Sequence, residues 1–455
     1  MTKSLYITSL EPRSGKSIVA LGFMEQLSGR LKNVGIFRPI VTEREGKDKL
    51  ITLMTDRYHL PFPAADQYGV TMEVALSLLN ASKYDELYTR ILERYKVLES
   101  RCDIVLCVGT DYTGVSTALE FDFNVEIARH LSSILVPIIN GQGKNPDALD
   151  RAARTLLESL DARKCDVLAI IINRVEVGKR ESILAALKKG LPGNRPVSVL
   201  PEEPLLERPT VRDISQGLSA ELISGDDAWL DGVVRNVKIA AMELPNFLDH
   251  LEEGCLVITP GDRSDIILGT LAAEASNSYP HVVGMVLTGN LKPAQQIQRL
   301  IEGFLSSPMP VLAVAQDTFT TAMNVSSVRP TLMAENRRKI ALALGIIESS
   351  VDVPGLLERA AVTRSGRITP LMFQYELISR AKQQRKHIVL PEGSEERILK
   401  AAEIILLRDV CDITLLGDAE EVMQKASSLG FSLDRAKIID PRNSELLPVF
   451  ANAYY

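Results

Sequence analysis

The chain has 455 residues, too many for one hydrophobic core and enough for two or three domains. With 45% hydrophobic and 24% charged residues it has an ordinary globular composition, and a net charge of −6 argues against a nucleic-acid-binding surface. Neither a signal-peptide pattern at residues 1–10 nor an apolar run near the ~20 residues that span a bilayer is evident, so no membrane partner is expected.

In chain order, short apolar runs at 4–8, 34–40, 103–109, 134–140, 167–173 and 196–200 read as parallel strands covered on both faces. Amphipathic stretches between them, such as 17–27, 81–101 and 148–160, read as helices. The alternation predicts an α/β domain with a doubly wound, mainly parallel sheet. Residues 200–214, rich in proline and charge, read as the exit from it. A smaller α/β set follows, with strands at 255–261, 281–289 and 310–315, and then a helix at 335–352. Residues 362–370 read as a linker. A third α/β unit opens with a helix at 371–384 and strands at 387–391, 412–417 and 436–440. Three strands are few for such a fold, so the third unit is expected to be incomplete, cut within itself at Tyr455. The predicted domains are 1–215, 216–362 and 363–455.

Ser14-Gly15-Lys16-Ser17 is the closing half of a Walker A loop, placed between a strand and an apolar helix as that loop requires. Gly15, Lys16 and Ser17 are the candidate nucleotide-binding residues: backbone N–H groups and the lysine meet phosphate, and the serine hydroxyl meets Mg²⁺. Ser9 or Leu10, depending on the spacing of the loop, stands where a glycine is expected, Pro12 removes a donor, and Glu11 is expected to bring negative charge near the phosphate. Nucleotide binding and a degenerate scaffold both remain open. Asp111 is the candidate acidic partner for Mg²⁺ or a base. Asn173, after a strand, is either a contact to a purine edge or a polar turn residue. Asp262 and Arg263 open a helix in the second unit, where capping is the plainer reading and anion binding the alternative. Glu392, Gly393 and Arg397 form the corresponding turn of the third unit, near the carboxyl end of a strand. Five scattered cysteines without a C-x-x-C pair point to no disulfide framework, no metal site and a reducing, cytoplasmic setting, with Cys107 and Cys255 as core residues.

Residues 380–422, with their P-E-G-x-x-x-R turn and L-L-G-D strand end, resemble the opening of the phosphate acetyl/butyryl-transferase domain. The second unit resembles the regulatory domain named for a DRTGG motif, here Asp262-Arg263-Ser264-Asp265-Ile266. The first is similar to the P-loop domain of dethiobiotin-synthetase type. Together they resemble long, three-domain phosphate acetyltransferases. The resemblance implies acetyl transfer between coenzyme A and inorganic phosphate, with acetyl-CoA and phosphate as substrates and no tightly bound cofactor. It also implies Mg-ATP as a candidate ligand of the P-loop, regulatory or assembly roles for the first two domains, and a homo-oligomer. Glu392, Gly393 and Arg397 would lie at the edge of the active site. The family's catalytic serine, arginine and aspartate would fall beyond Tyr455, leaving this chain inactive alone. Two other readings stay open: a nucleotide- or metabolite-sensing fragment, and an ATP-dependent ligase of dethiobiotin synthetase type.

Overall fold

The computed structural model describes residues 4–454 except 43–47, 111–116, 192–194, 277, 304–308, 363–369, 408, 430 and 432. It forms two compact units, Met1–Gly366 and Arg367–Tyr455. The expected linker at 362–370 falls largely outside the described residues.

In the first unit, β1 (Ser4–Ser9), β2 (Val34–Val41), β3 (Tyr68–Thr71), β4 (Ile104–Val108), β5 (Ile134–Asn140), β6 (Ile170–Val175) and β7 (Val197–Pro201) form one sheet. All its pairings are parallel, in the order β3-β2-β4-β1-β5-β6-β7. β1 and β4 are buried at every position, as strands of a doubly covered sheet should be. The chain order reverses across β1, which makes the carboxyl end of β1 the crevice where open α/β sheets hold ligands. The P-loop leaves from that end. β3 was not foreseen: it is a four-residue edge strand, too short to show an apolar pattern.

A second sheet holds β8 (Glu221–Ser224), β9 (Asn236–Ile239), β10 (Cys255–Pro260), β11 (Val282–Thr288) and β12 (Val311–Ala313), ordered β8-β12-β11-β10-β9. Only β8 among them pairs antiparallel. β8 and β9 are four-residue edges with no fully buried position, so sequence pattern missed them.

The helix Arg337–Ser350, which follows the second sheet in the chain, returns to pack on the helix Lys16–Ser28 and on β7. The reason lies in Lys16–Ser28 itself, which is apolar at every position from Ile18 to Met24 and buries Val19, Leu21, Phe23, Met24 and Leu27. Such a helix needs cover on its outer side as well as against the sheet. Gly22 is where the two helices meet: a Cβ there would come within 2.4 Å of Ile347 Cγ2.

The unit Arg367–Tyr455 contains β13 (His387–Leu390), β14 (Asp412–Leu416) and β15 (Lys437–Ile439), parallel and in that order. Its core is small, built on Leu399, Ala402, Leu406, Ile413, Leu415 and Val422. The helix Leu446–Tyr454 carries Leu447, Val449 and Phe450 exposed.

Candidate functional site

The turn after β1 is bent by two left-handed residues, Arg13 at φ 58° and Gly15 at φ 86°. Gly15 is obligatory on two counts. Its φ disfavours any side chain, and a Cβ would stand 2.1 Å from Asn173 Nδ2. Ser14 is fully buried and donates to the Glu11 carbonyl at 2.6 Å, closing the turn. Lys16, only 6% exposed, begins the helix and donates through Nζ to the Thr110 carbonyl at 3.3 Å, at the end of β4. Ser17 follows on the cleft side.

Glu11 does not crowd the phosphate position as expected. Its carboxylate turns outward, pairing with Lys144 at 2.5 Å and accepting from the Asn140 amide at 3.2 Å. The negative charge is neutralised by the neighbouring strand end, and the cradle is left to backbone and cation.

Asn173, within β6, is 4% exposed. Its amide donates to the Ser14 carbonyl at 2.8 Å, and its oxygen accepts from the Arg174 amide at 2.9 Å. Arg174 donates to the Arg13 carbonyl at 3.1 Å and pairs with Glu207. Both residues therefore pin the loop by its carbonyls. Asp111 lies outside the described residues.

Together these groups line a cleft of about 770 Å³. Its walls carry seven basic side chains, Arg13, Lys16, Arg38, Lys49, Arg174, Arg329 and Lys339, against three acids, Asp48, Glu203 and Glu207. Each acid is already engaged. Asp48 caps the helix Lys49–Tyr58 and sits 3.3 Å from Arg38, Glu203 caps Leu205, and Glu207 holds Arg174. In a chain of net charge −6, this cleft is a local positive field. Pro201, Leu206, Leu332 and Ile346 supply an apolar wall.

Several of these cations escaped sequence reading. Arg38 had a signal, an arginine inside the apolar run of β2, where it donates to the Gly109 carbonyl at 3.0 Å. Arg329 and Lys339 had none, because they reach the cleft from beyond the second sheet. Lys339 is 2% exposed, donates to the Arg208 carbonyl at 2.7 Å and lies 3.7 Å from Asp213. Burial pushes its ammonium below the ordinary lysine range, against the pull of Asp213.

The two other candidate sites are simpler. Asp262 and Ser264 make no side-chain cap on the helix Ser264–Glu274, so the capping expectation is corrected. Arg263 instead forks onto Asp265 at 2.9 and 2.8 Å and donates to the Met242 carbonyl. That bond holds the Asp265 carboxyl below the usual range, and it occupies part of the guanidinium an anion would need. In the third unit Gly393 donates to the Leu416 carbonyl at 3.0 Å, linking the turn after β13 to the end of β14. A Cβ would approach that oxygen to 2.6 Å, which explains the glycine. Glu392 is exposed, and the Arg397 side chain is 90% exposed, 3.7 Å from Glu395. All three thus gather at the carboxyl edge of the small sheet. Among the described residues no group of three or more His, Cys, Asp or Glu is arranged to hold a metal ion, and no single helix is long and apolar enough to cross a membrane.

Fold and site define an α/β protein with a P-loop-type domain at its start and a cation-lined cleft above β1. Residues 3–210 match the family model described as AAA domain, 213–328 the DRTGG domain, and 372–455 the model described as phosphate acetyl/butaryl transferase. The chain is similar over its full length to the phosphate acetyltransferase of Nitratidesulfovibrio vulgaris, with 40% identity covering 65% of that protein. Its likeness to the phosphate acetyltransferase of Synechocystis sp. is 35%, again over the full chain and 66% of the relative. The chain thus spans just under two thirds of the length of these relatives, a figure that supports neither the expected cut at Tyr455 nor an inactive chain. Among solved structures, the MinD cell division protein of Aquifex aeolicus aligns with 45% of this chain and 84% of its own, at 18% identity and a TM-score of 0.26.

Proposed function

We propose that the chain serves acetyl transfer between coenzyme A and inorganic phosphate, in the cytoplasm and as a homo-oligomer, with domains at 1–215, 216–362 and 363–455. The observation that carries this reading is the 40% identity to a phosphate acetyltransferase across all 455 residues, with the transferase model matching 372–455. The chemistry asks for a cation at the phosphate of acetyl phosphate, a base for the thiol, and donors for the oxyanion as the thiolate attacks the carbonyl. Glu392, on the turn that Gly393 fastens to β14, and Arg397, in the first turn of the following helix Glu396–Leu407, are both exposed and stand at the edge of that site. The test is acetyl-CoA formation from acetyl phosphate and coenzyme A by the 455-residue chain. Turnover above the enzyme-free rate supports the reading, and its absence refutes it for this stretch of chain.

The P-loop cleft favours a second role, the binding of a nucleotide such as Mg-ATP as a regulator. Its fit rests on the Gly15 turn, the buried Lys16 and the surplus of cations beside an apolar wall. There Lys16 and the loop amides would hold phosphate, and Ser17 would face the metal. Arg263 remains a candidate anion contact of the second unit, with Asp262 beside it. Hydrolysis of ATP coupled to a carboxylated amine substrate would instead mark a ligase.

A further inference from the structure

The cleft above the P-loop is closed on one side by a segment that does not belong to the first sheet. Residues 329–332 follow the helix Thr318–Ser327 of the second sheet's module and run along the cleft wall. The segment is held firmly. Thr331 donates to Asp213 Oδ1 from both its amide, at 3.2 Å, and its hydroxyl, and Pro330 fixes the backbone beside it. Asp213 is itself 4% exposed and locked in a reciprocal cap with Thr210. Arg329 is thus an exposed arginine on a fixed mount, lining a cleft whose three acids are already engaged elsewhere.

We propose that Arg329 is the far clamp of the cleft: a nucleoside di- or triphosphate seated on Gly15 and Lys16 extends its phosphates to the Arg329 guanidinium. The ligand then ties the P-loop domain to the DRTGG-like module through one charge-assisted contact. This inference rests on the nucleotide reading of the P-loop. The Thr331–Asp213 link makes the module that carries Arg329 respond to occupancy of the cleft.

The test is calorimetric titration of the full 455-residue chain with Mg-ATP, inorganic pyrophosphate and AMP. The variants are Lys16→Ala, Arg329→Ala and Arg329→Lys, each checked for an unchanged melting temperature. Arg329→Ala is expected to weaken Mg-ATP and pyrophosphate about tenfold while leaving AMP within about twofold, as loss of one charged hydrogen bond implies. Arg329→Lys should recover part of the loss, because a point charge replaces a fork. If Lys16→Ala loses Mg-ATP and Arg329→Ala binds it like the wild type, the clamp is refuted while the nucleotide site stands. If the wild-type chain binds neither Mg-ATP nor pyrophosphate, the nucleotide reading and the clamp fall together.

Discussion

Replacing Asp213 by alanine should destabilise the second sheet's module far more than replacing its cationic partner. Asp213 accepts from the Thr210 amide at 2.8 Å, the Thr210 hydroxyl at 3.0 Å and both donors of Thr331, and lies 3.7 Å from Lys339 Nζ. Both side chains are 2% exposed. Asp213→Ala leaves the Lys339 charge buried against one carbonyl, a change that costs about 3–5 kcal/mol, with about 1 kcal/mol more for the lost helix cap. Lys339→Met removes the charge together with its desolvation cost and leaves Asp213 its four hydrogen bonds. The Arg208 carbonyl loses a donor and Asp213 loses its cationic neighbour but none of those four bonds, so about 1–2 kcal/mol is expected. Urea unfolding followed by tryptophan emission reads this locally, since Trp229 is the single tryptophan. It lies in the turn Asp227–Asp231, which Arg212, on the same helix as Asp213, grips through Asp227 and Asp231. Linear extrapolation of that transition should separate the two variants by at least about 2 kcal/mol. Equal losses, or an Asp213→Ala variant within about 1 kcal/mol of the wild type, would refute the buried-pair argument.

Lys339 also sets a pH dependence. Its folded pKa is below the ordinary 10.5, so the unfolded chain binds more protons in the interval between the two. Relative to Lys339→Met, wild-type stability should rise as pH climbs through that interval toward 10.5, and a flat or falling difference in the same urea assay would contradict it. Gly15→Ala should lose Mg-ATP binding and cost about 1 kcal/mol or more in stability, because the left-handed turn and the Asn173 amide both exclude a Cβ; calorimetry at unchanged affinity would count against it. Gly393→Ala should push β13 and β14 apart at the Leu416 carbonyl, losing about 1–3 kcal/mol and speeding amide exchange in both strands, whereas native protection would show that the turn can yield.

Much of the architecture could be read from local pattern. The inner strands β1, β4, β5 and β6 each carry an apolar run, Leu5–Ile7 in β1 and Ile170–Ile172 in β6 among them, because each is covered on both faces, and that demand is written residue by residue. The P-loop was legible for the same kind of reason, a strand, a Gly15-Lys16 turn and a helix in immediate succession. The edge strands β3, β8 and β9 were not, since short and half-exposed segments carry little pattern.

Charge and partnership were decided only by the tertiary structure. Glu11 could be placed near a phosphate by its position, but Lys144, 133 residues away, turns it outward. Asn173 meets Ser14 across 159 residues, and Lys339 reaches the Arg208 carbonyl across 131. Hydrophobic burial is a property each segment can declare alone, whereas an ion pair or a pinned carbonyl exists only once two distant segments have packed.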